Sequence, residues 1–241
     1  MRNRVCSAPP WPCANPPEDP DPMTRWTPES RAERIDELLF AAPVLPVIAI
    51  DRLEDAVPLA RTLVDAGLPV LEITLRSEVA IEAIRAIANE VPGAIVGAGT
   101  VLDADALGAV AEAGAVFAIA PGSTEALYAA AASASIPFLP AIATASELMR
   151  GLEHGHRRFK FFPAESAGGV SALKAFAGPF ASVRFCPTGG IDANKAPAYL
   201  ALPNVITVGG SWMLPKAALE ARDWTAIGDL ASACAALARR G

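Results

Sequence analysis

The amino-acid sequence predicts an α/β fold in which one domain forms a (β/α)8 barrel. From residue 30 onward, apolar runs of strand length alternate with alanine-rich segments of helical spacing, and eight such runs occur. The length of 241 residues is close to the roughly 250 residues typical of this barrel. A doubly wound sheet is the alternative, but it normally has fewer strands and a glycine fingerprint after the first one. The segment that follows the first run, DRLED (51–55), contains no glycine, so the barrel is favoured.

The predicted strands are short apolar runs separated by turn residues. They cover residues 44–50, 70–75, 94–99, 115–120, 136–142, 158–162, 182–187 and 204–210.

The predicted helices have apolar residues at i, i+3 and i+4. Asp103, Ser123 and Thr144 are candidate N-caps, and Gly114 suits the position that follows a helix C-terminus. A last helix follows Asp223. The other helical segments are 52–66, 77–91, 103–113, 123–134 and 144–153.

The N-terminus differs in composition from the rest of the chain. Residues 1–28 hold eight of the 22 prolines, and such a segment cannot bury enough apolar surface to offset the entropy of ordering. The sequence therefore predicts a disordered Pro-rich tail over 1–28 and a barrel domain over 29–241. Met23 begins a stretch that looks like a natural protein start, so translation from Met1 and translation from Met23 both remain open.

Composition excludes several classes of function. The formal net charge of −6 provides no basic patch for nucleic acid. No apolar run reaches the roughly 20 residues of a membrane span, and the N-terminus lacks the apolar core of a secretory signal. The four cysteines have neither disulfide-framework nor zinc-site spacing, and we expect a cytoplasmic protein. His154 and His156 are the only histidines and have no nearby cysteine, so we expect no metal site.

Lys160 lies inside an apolar strand, in the run RRFKFFPAE (157–165). Strand alternation points Phe159 and Phe161 to one side and Lys160 with Phe162 to the other. Burial disfavours the charged form of an amine, and a neutral amine is the nucleophile that forms a Schiff base with a carbonyl substrate. The alternative is a strand-edge lysine whose head extends into water.

Further polar side chains follow the carboxyl ends of the predicted strands, where barrels carry their functional groups. In the run 70–76, Glu72, Thr74 and Arg76 share one face of a strict alternation. A lysine, a glutamate and an arginine converging on one rim indicate a catalytic site. The other predicted rim residues are Thr100, Phe162 and Thr188.

Two glycine pairs follow the seventh and eighth predicted strands. These are Gly189–Gly190, preceded by Thr188, and Gly209–Gly210, followed by Ser211. Glycine permits close backbone approach, and the loops after these two strands are the usual phosphate site of the barrel. The pairs therefore indicate a phosphorylated ligand.

Five segments together resemble one known family. They are EITLR (72–76), VGAGTV (96–101), FKFFPAE (159–165), VRFCPTGGI (183–191) and GGSW (209–212). They resemble the bacterial 2-dehydro-3-deoxy-phosphogluconate and 4-hydroxy-2-oxoglutarate aldolases, and the similarity runs from about residue 30 to the C-terminus. The resemblance implies a TIM barrel, a homotrimer, a place in the Entner–Doudoroff pathway, and a covalent lysine Schiff base with neither cofactor nor metal.

The resemblance also implies residue roles. Lys160 matches the Schiff-base lysine and Glu72 the proton-shuttling glutamate, while Arg76 and Thr100 match the groups that hold the pyruvyl carboxylate. Thr188 matches the threonine beside the reacting carbonyl, Phe162 a ring that packs on it, and Gly189, Gly190 and Ser211 the phosphate-binding positions.

Two positions depart from the family pattern: Ala141 replaces a glycine, and APG (120–122) replaces SPG. Both replacements stay small, and we expect them to tune substrate shape without loss of activity. The Pro-rich tail has no counterpart in the family.

The implied reaction is cleavage of 2-dehydro-3-deoxy-6-phosphogluconate to pyruvate and glyceraldehyde 3-phosphate. Cleavage of 4-hydroxy-2-oxoglutarate to pyruvate and glyoxylate is expected beside it. The alternatives are an aldolase of the same family for the phosphogalactonate epimer, a phosphate-binding barrel isomerase, and a non-catalytic phosphosugar-binding barrel. The sequence leaves open the order of preference among the three aldol substrates.

Overall fold

The structure is a computed structural model, and it describes residues 26–238. The disorder predicted for residues 1–25 therefore lies outside the described residues. The first helix, α1 (Pro28–Leu39), begins just before the expected domain boundary at residue 29. Thr27 caps it by accepting a hydrogen bond from Ser30 N at 3.1 Å, and proline suits the first helical turn. Trp26 Nε1 donates to Ala134 O at 3.0 Å.

The strands form two parallel sheets. One has the order β5-β4-β3-β2-β1-β9 and the other the order β6-β7-β8. The strands are β1 (Val44–Ile48), β2 (Val70–Thr74), β3 (Ile95–Gly99), β4 (Ala118–Ile119), β5 (Phe138–Leu139), β6 (Ala141–Ile142), β7 (Arg158–Phe161), β8 (Arg184–Pro187) and β9 (Val208–Gly210).

Helices connect the strands as the sequence pattern predicts. A 3-10 turn over Leu53–Asp55 precedes the second helix. After α1 they are α2 (Ala56–Asp65), α3 (Ala80–Glu90), α4 (Ala104–Glu112), α5 (Glu125–Ser133), α6 (Ala145–Glu153), α7 (Gly169–Ala177), α8 (Ala196–Leu200), α9 (Lys216–Ala221) and α10 (Trp224–Ala235).

The fifth predicted strand is divided at Pro140. Its first half, β5, pairs with β4, and its second half, β6, pairs with β7. Proline has no N–H to donate, but its carbonyl accepts a hydrogen bond from Lys160 N at 2.9 Å. Isolated bridges join Phe185 to Val205 and Thr188 to Gly209. The parallel strands thus follow a strongly curled surface.

The capping predictions are confirmed with one correction. The side chains of Asp103 and Thr144 accept hydrogen bonds from the first turns of α4 and α6. Asp223, which was predicted only to precede the last helix, caps α10 in the same way. Helix α5 is capped by Thr124 rather than by Ser123, because Thr124 Oγ1 is the group that accepts from Leu127 N.

The strand alternation separates two apolar clusters. Leu71, Ile73, Phe159 and Phe161 pack in the larger cluster, which also contains buried residues of the helices. The smaller cluster joins residues of α1 to inward-facing residues near the strand N-termini. It contains Ile35, Leu38, Leu39, Leu45, Val70, Phe117, Ile119, Leu139, Cys186 and Ile206.

Helix α1 is held to the strands by polar contacts as well. The Arg158 guanidinium pairs with both carboxylate oxygens of Asp36. Arg31 is buried and donates to His154 O at 3.2 Å. Desolvation lowers the pKa of Arg31 to about 10. Together these contacts fix α1 across the amino ends of the strands, opposite the rim on which functional groups are expected.

In the range 26–238, no helix combines the length and apolar character needed to cross a membrane.

Truncation of Ile35 to alanine should destabilise the whole domain, because the side chain is 1% exposed and is part of the apolar cluster beneath the strands. Loss of a buried isoleucine to alanine costs about 3 kcal/mol, which urea unfolding would measure. Glu33→Ala, at an exposed position of the same helix, should change the free energy of unfolding by less than about 0.5 kcal/mol. Equal stability of the two variants would mean that α1 is not part of the folded core.

Candidate active site

A buried lysine–glutamate pair joins β7 to β2. Lys160 Nζ donates to Glu72 Oε1 at 2.8 Å, and the two residues are 5% and 1% exposed. Because a buried ion pair adds little net stability over an apolar pair of similar volume, packing alone does not account for it. The pair supplies an amine and a carboxylate within proton-transfer distance of each other.

Strand register explains why these two side chains meet. Lys160 alternates with Phe159 and Phe161, whose rings pack into the larger apolar cluster, so its own side chain faces inward. Glu72 alternates in the same way with Leu71 and Ile73. The parity predicted from the sequence is thereby confirmed for both strands, and the two side chains lie on the inner surface of the curled sheets.

Glycines on β3 make room for the glutamate. A Cβ at Gly99 would lie 2.2 Å from Glu72 Oε1, and a Cβ at Gly97 would lie 2.3 Å from the Phe117 ring. Strand spacing of two residues puts both glycines on the inner face. The sequence analysis did not identify the role of this face of β3, although the two glycines at alternate positions of VGAG (96–99) indicate it.

Glu72 retains an acceptor that is not used by the protein. Its Oε2 is buried without a hydrogen-bond partner among the described residues. Leaving a buried acceptor unsatisfied costs about 1–3 kcal/mol. Such a cost is typical of a group that serves a ligand or a proton transfer.

Phe162 lies beside the pair, and Thr188 directly follows β8, the strand that pairs with β7. Lys160 Nζ lies 5.5 Å from the centroid of the Phe162 ring. Thr188 is 6% exposed, and its Oγ1 has no hydrogen bond of ordinary geometry among the described residues. The Cys186 thiol, a weak donor, interacts with the Thr188 side chain. Burial raises the pKa of that thiol to about 12, so it stays protonated and does not compete with the amine as a nucleophile.

Arg76 and Thr100 lie at the carboxyl ends of β2 and β3. Arg76 is exposed, and its guanidinium makes no hydrogen bond or ion pair within the described residues. Thr100 has φ +60°, a left-handed conformation rare for a β-branched residue. Such strain costs about 1–3 kcal/mol and is concentrated at functional sites. Within the described residues, neither side chain makes a hydrogen bond or ion pair with Lys160 or Glu72.

The glycine pairs lie where the sequence predicts, after β8 and at the end of β9. Gly189 and Gly190 have φ +106° and +76°, values that exclude most side chains. A Cβ at Gly209 would lie 2.2 Å from Thr188 Oγ1, so this glycine allows the two loops to approach. Ser211 is exposed, and the N–H groups of Gly190 and Ser211 donate to no other group in the described part of the chain.

Three residues at this rim were missed by the sequence analysis. Glu165 accepts hydrogen bonds from Tyr199 and pairs with Lys195 at 3.0 Å. Lys195 also donates to Gly190 O at 2.7 Å. Lys195 directly precedes α8, and its ammonium reaches back to the glycine loop.

The histidines lie away from this rim, near the amino end of β7. His154 pairs with Glu125 at 2.9 Å, and its ring stacks on Tyr128. His156 is buried, and desolvation lowers its pKa to about 2. Across residues 26–238, no three or more His, Cys, Asp or Glu side chains are arranged to hold a metal ion.

Comparisons with known proteins agree on one family. A family model described as "Aldolase: KDPG and KHG aldolase" matches residues 35–230. A KHG/KDPG aldolase of Escherichia coli is 57% identical over 196 residues, which are 81% of this chain and 92% of that protein.

Two solved structures match most of the chain. KDPG aldolase from Legionella pneumophila, with pyruvate captured at low pH as a covalent carbinolamine intermediate, has a TM-score of 0.82 and 47% identity. It covers 83% of this chain and 98% of its own. The Zymomonas mobilis 2-keto-3-deoxy-6-phosphogluconate aldolase with 3-phosphoglycerate has a TM-score of 0.81 and 48% identity, covering 85% and 96%.

Replacing Gly99 by alanine should destabilise the protein by about 1–3 kcal/mol, because the new Cβ would force Glu72 away from Lys160. Gly108→Ala is the matched control: no atom lies within 4 Å of a Cβ built there, in the middle of α4. It should stabilise the protein by about 0.4–1 kcal/mol. Urea unfolding measures both changes, and a Gly99→Ala variant as stable as the wild type would contradict the close packing of β3 on Glu72.

Proposed function

Since the chain belongs to the KDPG and KHG aldolase family, we propose that its lysine–glutamate pair performs the family reaction. The protein is an aldehyde-lyase that cleaves 2-dehydro-3-deoxy-6-phosphogluconate to pyruvate and glyceraldehyde 3-phosphate, in the Entner–Doudoroff pathway. The name of its relatives includes 4-hydroxy-2-oxoglutarate as a second substrate, and cleavage of that acid gives pyruvate and glyoxylate. The observation that carries the residue assignment is the 2.8 Å contact between Lys160 Nζ and Glu72 Oε1 inside the curled sheets.

The side-chain amine of Lys160 is the nucleophile of the first step. Nζ attacks the C2 ketone, the carbinolamine loses water, and the resulting iminium withdraws electrons from C3. Glu72 accepts the C4 hydroxyl proton directly or through a water as the C3–C4 bond breaks. Glyceraldehyde 3-phosphate leaves, and the electron pair of the broken bond remains as an enamine on Lys160.

The same carboxyl group completes the cycle. Glu72 returns the proton to the enamine carbon, and water hydrolyses the iminium to pyruvate and the free amine. One carboxyl group can serve in both directions because it is a base in the first half and an acid in the second. Its unpartnered buried Oε2 supports this role. Every step uses groups of the protein, the substrate and water, so the proposal includes neither cofactor nor metal.

The 2-oxo acid is assigned to residues at the carboxyl ends of β2, β3, β7 and β8. We assign Arg76 and Thr100 to the pyruvyl carboxylate, Thr188 to the reacting carbonyl and Phe162 to packing on the substrate. The planar fork of an arginine binds a carboxylate through two hydrogen bonds. The exposed, unpartnered guanidinium of Arg76 and the left-handed backbone of Thr100 support this assignment.

The phosphate is assigned to the loops after β8 and β9. Gly189, Gly190 and Ser211 would contribute backbone N–H groups and a hydroxyl, and main-chain N–H groups in glycine-rich loops favour anions. The unused N–H groups of Gly190 and Ser211 support this site.

We further propose that the strands close into a complete (β/α)8 barrel, that the protein assembles as a homotrimer, and that it acts in the cytoplasm. The bridges from Phe185 to Val205 and from Thr188 to Gly209 support closure. The free, buried Cys186 and Cys234 are consistent with a reducing compartment. The trimer rests on the family alone, and light scattering of the purified protein would test it.

Borohydride reduction in the presence of pyruvate tests the nucleophile. Mass spectrometry of the wild-type protein should place the reduced pyruvyl adduct on the peptide that contains Lys160, because a class I aldolase forms its imine there. Lys160→Met should form no adduct and should lose aldol cleavage. It leaves Glu72 buried without its partner, so Lys160→Met with Glu72→Gln serves as the folding control. An adduct on Lys195 or Lys174 in the wild type, or an active Lys160→Met enzyme, would overturn the assignment.

Removing the substrate phosphate tests the loops after β8 and β9. The value of kcat/KM should fall by about 100-fold or more between 2-dehydro-3-deoxy-6-phosphogluconate and its unphosphorylated analogue, because several charge-assisted hydrogen bonds are lost. The phosphogalactonate epimer, assayed beside them, distinguishes the two sugar specificities. Comparable values with and without phosphate would contradict the site.

A further inference from the structure

Glu165 lies against the proposed phosphate loop. It follows the strand that carries Lys160, and its carboxylate accepts hydrogen bonds from Tyr199, within α8, and from Lys195, which directly precedes that helix. Tyr199 itself is 1% exposed. One carboxylate therefore connects the loop after β7 to the helix that follows the glycine loop.

The backbone reinforces this connection. Ala164 N donates to Thr188 O at 2.8 Å, and Glu165 N donates to Gly189 O at 3.1 Å. These two bonds continue the β7–β8 pairing beyond the ends of the strands. Two carbonyls of the Thr188–Gly190 segment are thus held by the loop that contains Glu165.

Lys195 holds the third carbonyl. Its Nζ lies 2.7 Å from Gly190 O and 3.0 Å from Glu165 Oε2. All three carbonyls of the segment are satisfied on the protein side, whereas the N–H of Gly190 has no acceptor within the described residues. In an anion-binding turn the N–H groups face the ligand, so the carbonyl groups must be bonded elsewhere.

Two glycines make the contact possible. A Cβ at Gly190 would lie 2.8 Å from Glu165 Cγ, and a Cβ at Gly169 would lie 3.0 Å from the Tyr199 hydroxyl. Both glycines have positive φ. The glycine loop therefore packs directly on the Glu165 stem, and a displacement of the carboxylate would displace the loop.

We propose that Glu165, with Tyr199 and Lys195, is the positioning unit of the substrate-phosphate loop. The inference rests on the proposed function, since it takes the Gly189–Gly190 loop as the phosphate site. Hydrogen bonds from Tyr199 and Lys195 lower the pKa of the Glu165 carboxyl, which keeps it ionised at neutral pH. Glu165 acts through the loop and does not touch the reacting carbons.

Kinetics with and without phosphate separate this role from general damage. Glu165→Ala should raise KM for 2-dehydro-3-deoxy-6-phosphogluconate by about 10-fold with kcat little changed, because substrate binding must then order the loop. With 2-dehydro-3-deoxygluconate, which has a hydroxyl in place of the phosphate, kcat/KM should stay within about 2-fold of the wild type, since the phosphate contacts of the loop are absent. Glu165→Gln, which keeps an acceptor for Tyr199, should recover part of the loss.

Tyr199→Phe removes one donor and keeps the buried ring. It should raise KM for the phosphorylated substrate by about 3-fold, the effect of one neutral hydrogen bond. Glu37→Gln is the matched control, because Glu37 is also an exposed, ion-paired glutamate, bonded to Arg34 at 2.8 Å on α1. It should change none of these values.

Two results would overturn the proposal. One is a Glu165→Ala variant whose ratio of kcat/KM between the phosphorylated and the unphosphorylated substrate equals that of the wild type. The other is an equal fall in kcat/KM for both substrates, which would make Glu165 a general structural residue. If the wild-type enzyme itself shows no preference for phosphate, the phosphate site fails and the role of Glu165 fails with it. Failure of the proposed function is thus visible before any variant is assayed.

Discussion

The buried contact between Lys160 and Glu72 is the interaction on which the rest of the arrangement depends. It puts two ionisable groups where a curled parallel sheet would otherwise be filled by apolar side chains. Neighbouring strands accommodate the pair: β3 presents Gly99 beside the carboxylate, and α1 supplies the apolar side chains beneath. One acceptor of Glu72 has no hydrogen bond, and a buried ion pair adds little net stability to the fold. The arrangement is therefore explained by its chemistry and not by a gain in folding free energy.

The proposed active site contains two kinds of functional group. The strand interiors hold the amine and the carboxylate rigidly, as a covalent step requires. The loops after β8 and β9 offer main-chain donors, which have no charge to desolvate and which need external support to keep their direction. In our proposal Glu165 and Lys195 provide that support: Lys195 donates to the Gly190 carbonyl and pairs with the Glu165 carboxylate. Rigidity of the reacting pair and positioning of the phosphate loop are thus separate properties that different substitutions can change independently.

Much of this could be predicted from local sequence. Period-two alternation placed Lys160 and Glu72 on one inner surface, and the family resemblance supplied their expected roles. Helix α1 was missed because the Thr27–Pro28 start lies at the edge of a proline-rich stretch. The division of a strand at Pro140 depends on which neighbour each half pairs with. Glu165 and Tyr199 are 34 residues apart, so no periodicity reveals their contact.

Exchange of the pyruvate methyl protons with solvent deuterium tests the division of roles between Lys160 and Glu72 most directly. Proton NMR in D2O should show rapid exchange with wild-type enzyme and none with Lys160→Met. Glu72→Gln should exchange at least about 100-fold more slowly, the lower end of the range for general acid–base catalysis, while still forming the borohydride-trapped adduct on Lys160. Exchange at the wild-type rate by Glu72→Gln would show that another group moves the proton and would contradict the account.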